Sequence, residues 1–155
     1  FATAMDIFEL SPSDGIVRPG KSLREVACAK TDDTERPIYS EYHASGSLTG
    51  HFMVRIGKWK YIAYPGYEPQ LFDLEQDPLE NADLGQSPEH ADIRAECDVA
   101  LRRIVDVEAI NALAFSDQKA RIEQFGGAAQ IRERGSYAYS PPPGETTEFV
   151  TELQK

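Results

Sequence analysis

The feature that most constrains this chain is a glycine set between two short runs of β-forming residues. His51-Phe52-Met53-Val54-Arg55-Ile56 leads into Gly57, and Lys58-Trp59-Lys60-Tyr61-Ile62-Ala63-Tyr64 leads away from it. A glycine at that point can take the positive φ that a tight hairpin turn demands. In the second run Trp59, Tyr61 and Ala63 alternate with Lys58, Lys60 and Ile62, so the two-residue period puts the aromatic residues on one face and the lysines on the other. One face is therefore core.

Two further strands flank the hairpin. Ile38-Tyr39-Ser40-Glu41-Tyr42-His43 is rich in β-formers, and Ala44 to Gly50 is a small-residue loop read as flexible or ligand-facing. After the Pro65-Gly66 turn, Gln70-Leu71-Phe72-Asp73-Leu74 reads as a fourth strand, closed by Asp77-Pro78. The connections are too short for crossover helices, which makes the sheet antiparallel. Ser87-Pro88-Glu89 then reads as a helix start, with Ser87 accepting from orphan N–H groups and Pro88 at the first helical position. Ile93, Cys97, Ala100, Leu101 and Ile104 follow at steps of three and four, a stripe expected to cover the sheet on a helix running to about Val105. Asp106 can cap a second helix with apolar positions at Val107, Ile110, Leu113, Ala114 and Phe125, stopped by Gly126-Gly127, and a third helix is predicted over Ala128 to Arg134. The fold class is α+β: about four antiparallel strands covered on one face by C-terminal helices, plus an extended Tyr/Pro-rich tail from Ser136 to Lys155. Ahead of the sheet, Phe1 to Leu10 suits a short helix, Lys21 to Lys30 has weak helical character, and Thr31 to Pro37 is a polar connector marking an internal boundary.

Composition narrows the function classes. A chain of 155 residues allows one ordinary domain or part of a larger protein. Its net charge of −10 repels phosphate backbones and anionic lipid, so neither nucleic acid nor a membrane is an expected partner. Arg55, Lys58 and Lys60 read as a solvated strand face rather than a basic patch. Cys28 and Cys97 lack the spacing of a zinc knuckle and read as structural, and no metal site is expected. Phe1 to Leu10 lacks the basic leader and apolar stretch of a signal peptide, which leaves the compartment open. Three other readings compete. Trp59, Tyr61, Tyr64 and Tyr67 would make a sugar-stacking platform if exposed, the tail would make an oligomerisation element, and His43, His51 and Asp73 would make an acid–base set if a nucleophile stood beside them.

Several segments in order carry a resemblance. Ser40-Glu41-Tyr42-His43, Phe52-Met53-Val54-Arg55, Gly57-Lys58-Trp59-Lys60-Tyr61-Ile62 and Gln70-Leu71-Phe72-Asp73-Leu74-Glu75-Gln76-Asp77-Pro78-Leu79-Glu80 together resemble the C-terminal subdomain of sulfatase-family enzymes, of the alkaline-phosphatase-like superfamily. The stretch from His43 to Leu84 looks closest to choline-sulfatase-like members, whose tail pattern is echoed by Tyr137, Tyr139, Pro141, Phe149 and Val150. Asp6-Ile7-Phe8 and Gly20-Lys21-Ser22-Leu23 look like two earlier family segments, with Glu9-Leu10 where the family carries Pro-Thr.

The resemblance implies a parent with an α/β catalytic domain, a formylglycine made in a C/S-x-P-x-R motif, and a divalent cation such as calcium. That motif is absent here: Cys28-Ala29-Lys30 and Cys97-Asp98-Val99 lack the proline, and Ser140-Pro141-Pro142-Pro143-Gly144 lacks the arginine. Asp32-Asp33 reads as a solvated loop rather than the family's metal-binding acids. The chain is thus expected to hold no catalytic residue and no cofactor of its own. Residues 1–37 are expected to be a linker or the end of the catalytic domain, 38–135 the subdomain, and 136–155 a tail that docks and clasps a second copy in a homo-oligomer. Within this resemblance Glu41 and His43, ending a strand before the Gly/Ser loop, are the candidate substrate-binding residues.

Overall fold

A computed structural model describes residues 1–11, 15, 20–29, 33–43, 47–137 and 149–150. Strands β1 (Ile38–Tyr42), β2 (His51–Ile56), β3 (Trp59–Ala63) and β4 (Gln70–Asp73) form one antiparallel sheet in sequence order. Gly57 turns the β2–β3 hairpin at φ 55°, a left-handed state glycine reaches without a Cβ penalty. Register puts Tyr39, Val54, Tyr61 and Leu71 in one cross-strand row, with Phe52 and Ala63 in the next. Val54, Tyr61, Leu71, Phe52 and Ala63 are buried. Helix α3 (Ala91–Ile104) lies across β2 and β3 and adds Cys97 and Leu101, and Val107 at the start of α4 (Val107–Gln124) completes the cluster. The sheet covered on one face by C-terminal helices is as the periodicity predicts.

The opposite face is not simply solvated. Phe72 is 5% exposed there, and Lys60, its cross-strand neighbour, bonds Glu80 at 2.6 Å. The cause is the return of the chain beside β4, where Leu84 N–H donates to Leu71 O at 2.8 Å and Leu71 N–H to the Asp83 carboxylate at 3.1 Å. These bonds also cover an otherwise open sheet edge.

The helix start takes another form than its residues suggest. Pro88–His90 makes a 3-10 turn, α3 begins at Ala91, and the Ser87 hydroxyl lies 2.9 Å from His90 Nδ1 instead of capping backbone. Ile104 is 46% exposed, because the chain leaves the helix in extended geometry at Val105, which packs on the core in its place. Asp106 does cap α4, accepting from Ala109 N–H at 3.0 Å. Farther along α4, Leu113 and Phe125 stay exposed, since the helix meets the core only through its first turn. Helix α5 spans Gly127–Arg134. At the N-terminal end, α1 (Ala2–Ile7) and α2 (Arg24–Cys28) bury no residue and are joined by Ser22 Oγ donating to Asp6 at 2.5 Å. In the tail β5 (Ser136–Tyr137) pairs antiparallel with β6 (Phe149–Val150), while Tyr139 and Pro141 fall outside the described residues.

Candidate functional site

Glu41 and His43 stand two residues apart at the end of β1, so strand alternation alone aims both toward one side of the sheet. Tyr39, two residues earlier, donates its hydroxyl to Glu41 Oε2 at 2.5 Å, and His43 Nε2 lies 3.6 Å from the same oxygen. That second separation is too long for a hydrogen bond. His43 Nε2 is buried and has no hydrogen-bond partner among the described residues. Burial, followed by the hydrogen bond to Glu41, pushes the Tyr39 phenol above its usual range, so it remains a donor. The Glu41 carboxylate itself is 41% exposed and can receive a cationic or hydrogen-bonding group from outside.

Gly50 sets the place of the imidazole. A Cβ there would fall 2.7 Å from His43 Cε1 and 2.7 Å from Phe52 Cε2, inside any tolerated contact. The His43 ring meets Phe52 edge-on at 5.2 Å, and Gln118 of α4 donates to the His43 carbonyl at 3.1 Å. Asn111 of α4 accepts from Gly50 N–H at 2.8 Å and from Thr49 Oγ1 at 3.3 Å. Helix α4 thereby fixes the segment that holds the ring.

The remaining candidates separate. Asp73 sits at the far end of β4, accepting from Lys58 Nζ at 2.7 Å and from the N–H groups of Glu75 and Gln76 at 3.1 and 3.2 Å. It ties a turn and shares no site with His43 or His51. His51 Nε2 lies 2.7 Å from Ser47 Oγ, the nucleophile-and-base pairing that the sequence did not show. Ser47, however, donates its proton to Thr49 O at 2.5 Å, which leaves the imidazole as the donor to serine. A ring that donates there cannot remove the hydroxyl proton.

The four-residue platform does not form as drawn. Tyr61 is buried against Asp98, to which its hydroxyl donates at 2.9 Å, and Trp59 packs on the core with its ring 5.7 Å from His90. Tyr64 and Tyr67 instead join Tyr42 and His51 around an open cavity of about 410 Å³. Tyr42 and His51 went unmarked as partners of those tyrosines because they come from different strands. Both thiols stay outside these sites. Cys97 is buried in the core, where burial pushes it up to about 11, and Cys28 is exposed.

The described residues do not fit a formylglycine or a cation. Neither cysteine has the required motif, and no three His, Cys, Asp or Glu side chains are grouped to hold a metal ion among the described residues.

No protein-family model matches the chain. Arylsulfatase K of Danio rerio is 37% identical over 118 residues, covering 72% of this chain and 22% of that protein. Arylsulfatase K of Mus musculus is 37% identical over 91 residues, covering 57% and 16%. Choline-sulfatase of Rhizobium meliloti is 47% identical over a shorter 53 residues, 34% of this chain and 10% of that one. Among solved structures, BT4656 in complex with its substrate D-glucosamine-2-N,6-O-disulfate superposes with a TM-score of 0.55 at 22% identity, over 66% of this chain and 22% of that one, a likeness of fold. The chain spans about a fifth or less of the length of the relatives it matches. It shares partial homology with the sulfatase family, and the longer matches are to arylsulfatase K rather than to choline-sulfatase.

Proposed function

From that partial homology we propose that the chain is the C-terminal portion of a sulfatase-like sulfuric ester hydrolase, bracing a catalytic domain carried on other polypeptide of the same parent. The observation that carries this is the 37% identity to Danio rerio arylsulfatase K over 72% of the chain. In this reading residues 1–37 adjoin the catalytic domain, 38–135 form the brace, and the formylglycine and the divalent cation reside in the parent. The group supplies the nucleophile and the cation spreads charge on the sulfuryl oxygens when both are bound.

Glu41 and His43 line the substrate pocket in this proposal. What supports the role is geometry: an exposed carboxylate oxygen pair held by Tyr39, beside a buried imidazole nitrogen with no described partner. Glu41 attracts a donor or cation on the substrate, and the His43 ring stands beside that carboxylate. The sulfate ester itself belongs to the machinery elsewhere.

The test uses the parent polypeptide with 2-aminoethyl sulfate, whose ammonium group a carboxylate can attract, and with 4-nitrophenyl sulfate, which carries no donor or cation. Glu41→Gln is expected to lower kcat/KM for the aminoethyl ester by roughly tenfold, the scale of one charge-assisted contact, and to leave the nitrophenyl ester nearly unchanged, with folding intact; equal effects on the two esters would remove the role of Glu41. The 155-residue chain alone is expected to turn over nothing; activity there would remove the proposal. The homo-oligomer clasped by 136–155 belongs to the same reading, and a solution mass that ignores removal of those residues would end that clause.

A further inference from the structure

Four aromatic rings unused by the sulfatase reading meet at one end of the sheet. Tyr42 closes β1, His51 opens β2, Tyr64 follows β3 and Tyr67 lies in the turn to β4, and together they line the cavity of about 410 Å³. Two of the rings are fixed. His51 is held by Ser47 at 2.7 Å and meets Tyr64 edge-on at 4.7 Å, while the Tyr64 hydroxyl donates to Gln70 Oε1 at 2.6 Å. The other two are more open: Tyr42, tilted against the His51 ring at 5.7 Å, is 51% and Tyr67 59% exposed, and neither hydroxyl has a hydrogen-bond partner among the described residues. Rings held in place without a ligand lower the ordering cost of binding one.

The lining also selects by charge. Among the described residues no Asp, Glu, Lys or Arg borders the cavity, so none of them neutralises a sulfate, a phosphate or an ammonium group there. Ring faces, with the Tyr42 and Tyr67 hydroxyls beside them, offer apolar contact with polar edges. A pyranose has the matching surface, with C–H bonds on one face and hydroxyls around its edge. We propose that Tyr42, His51, Tyr64 and Tyr67 form a binding site for a neutral saccharide ring. The site shares no residue with Glu41 and His43, and it stands whether or not the parent hydrolyses sulfate esters.

Amide correlation spectra of the 155-residue chain, titrated with methyl β-D-glucopyranoside and with N-acetylglucosamine, test it. At least one of the two is expected to move the amides of residues 47–51 and 64–67 and few others. Tyr67→Ala is expected to weaken binding roughly tenfold, the scale of a lost aromatic stack, while Tyr67→Phe keeps most of it. Tetramethylammonium chloride and 4-methylphenol serve as parallel probes for a cation cage and an aromatic slot. The proposal is overturned if neither saccharide moves those amides in the unaltered chain, if either parallel probe binds more tightly than both sugars, or if Tyr67→Ala binds as the unaltered chain does.

Discussion

Asp73 shows how one side chain can look catalytic in sequence and be structural in space. Its carboxylate is 6% exposed, and three donors converge on it from Lys58, Glu75 and Gln76. The hydrogen bond from Lys58 is the largest cause holding its pKa below the ordinary carboxylate value, and the same bond holds Lys58 above the ordinary lysine value. A depressed acid binds fewer protons folded than unfolded, so its stabilisation is complete above the ordinary value of 3.8 and fades as pH falls through the lower folded one. The raised lysine works in the opposite direction: its share is complete below 10.5 and fades as pH rises beyond it. Urea unfolding midpoints should therefore drop more steeply on acidification for the native chain than for Asp73→Asn. Parallel acid limbs for the two would show that Asp73 contributes nothing to the pH dependence.

At the level of elements, local signals were legible wherever the period or a cap was set by neighbours in sequence. The glycine between alternating runs located the β2–β3 hairpin, and Asp106 located the start of α4. Ser87 misled because a 3-10 turn inserted before α3 redirected its hydroxyl to His90, a choice between backbone and side-chain partners that the residue order does not reveal. The pairing of Glu41 with His43 followed from alternation, but Tyr39 as its donor and Gly50 as the space for its ring came from the folded register. The aromatic cavity was still less visible, since its rings arrive from separate strands and a turn. Asn111 belongs with these hidden contacts, joining α4 to the buried Thr49–Gly50 segment across 61 residues of chain. Replacing it with leucine strands a buried N–H, which should cost about 1–3 kcal/mol. Chemical unfolding of Asn111→Leu measures that loss, and a change near zero would mean that the Gly50 amide finds another partner.

Across the whole molecule, apolar burial is unevenly shared. Phe52, Val54, Leu71, Leu101 and Val107 are essentially sealed, whereas α1, α2 and α5 bury nothing. Phe1, Phe8 and Leu10 are each more than half exposed, and on α4 Leu113 and Phe115 are also exposed. Helices of five and six residues gain too little from their own hydrogen bonds to be stable without tertiary contacts, and here α1 and α2 are linked mainly through the Asp6–Ser22–Arg24 cluster at the surface. As a brace the chain would complete its burial against the catalytic domain; as a self-sufficient module it would have no such need. Amide hydrogen exchange separates these readings. In the isolated chain, α1 and α2 should exchange at least about a hundredfold faster than β2, β3 and α3, the spread expected between local fraying and core opening. In the parent polypeptide the α1 and α2 amides should slow toward the rate of the sheet, because their apolar faces would then be covered. Equal protection of all these elements in the isolated chain would instead show a unit already complete, and the bracing role would have to be given up.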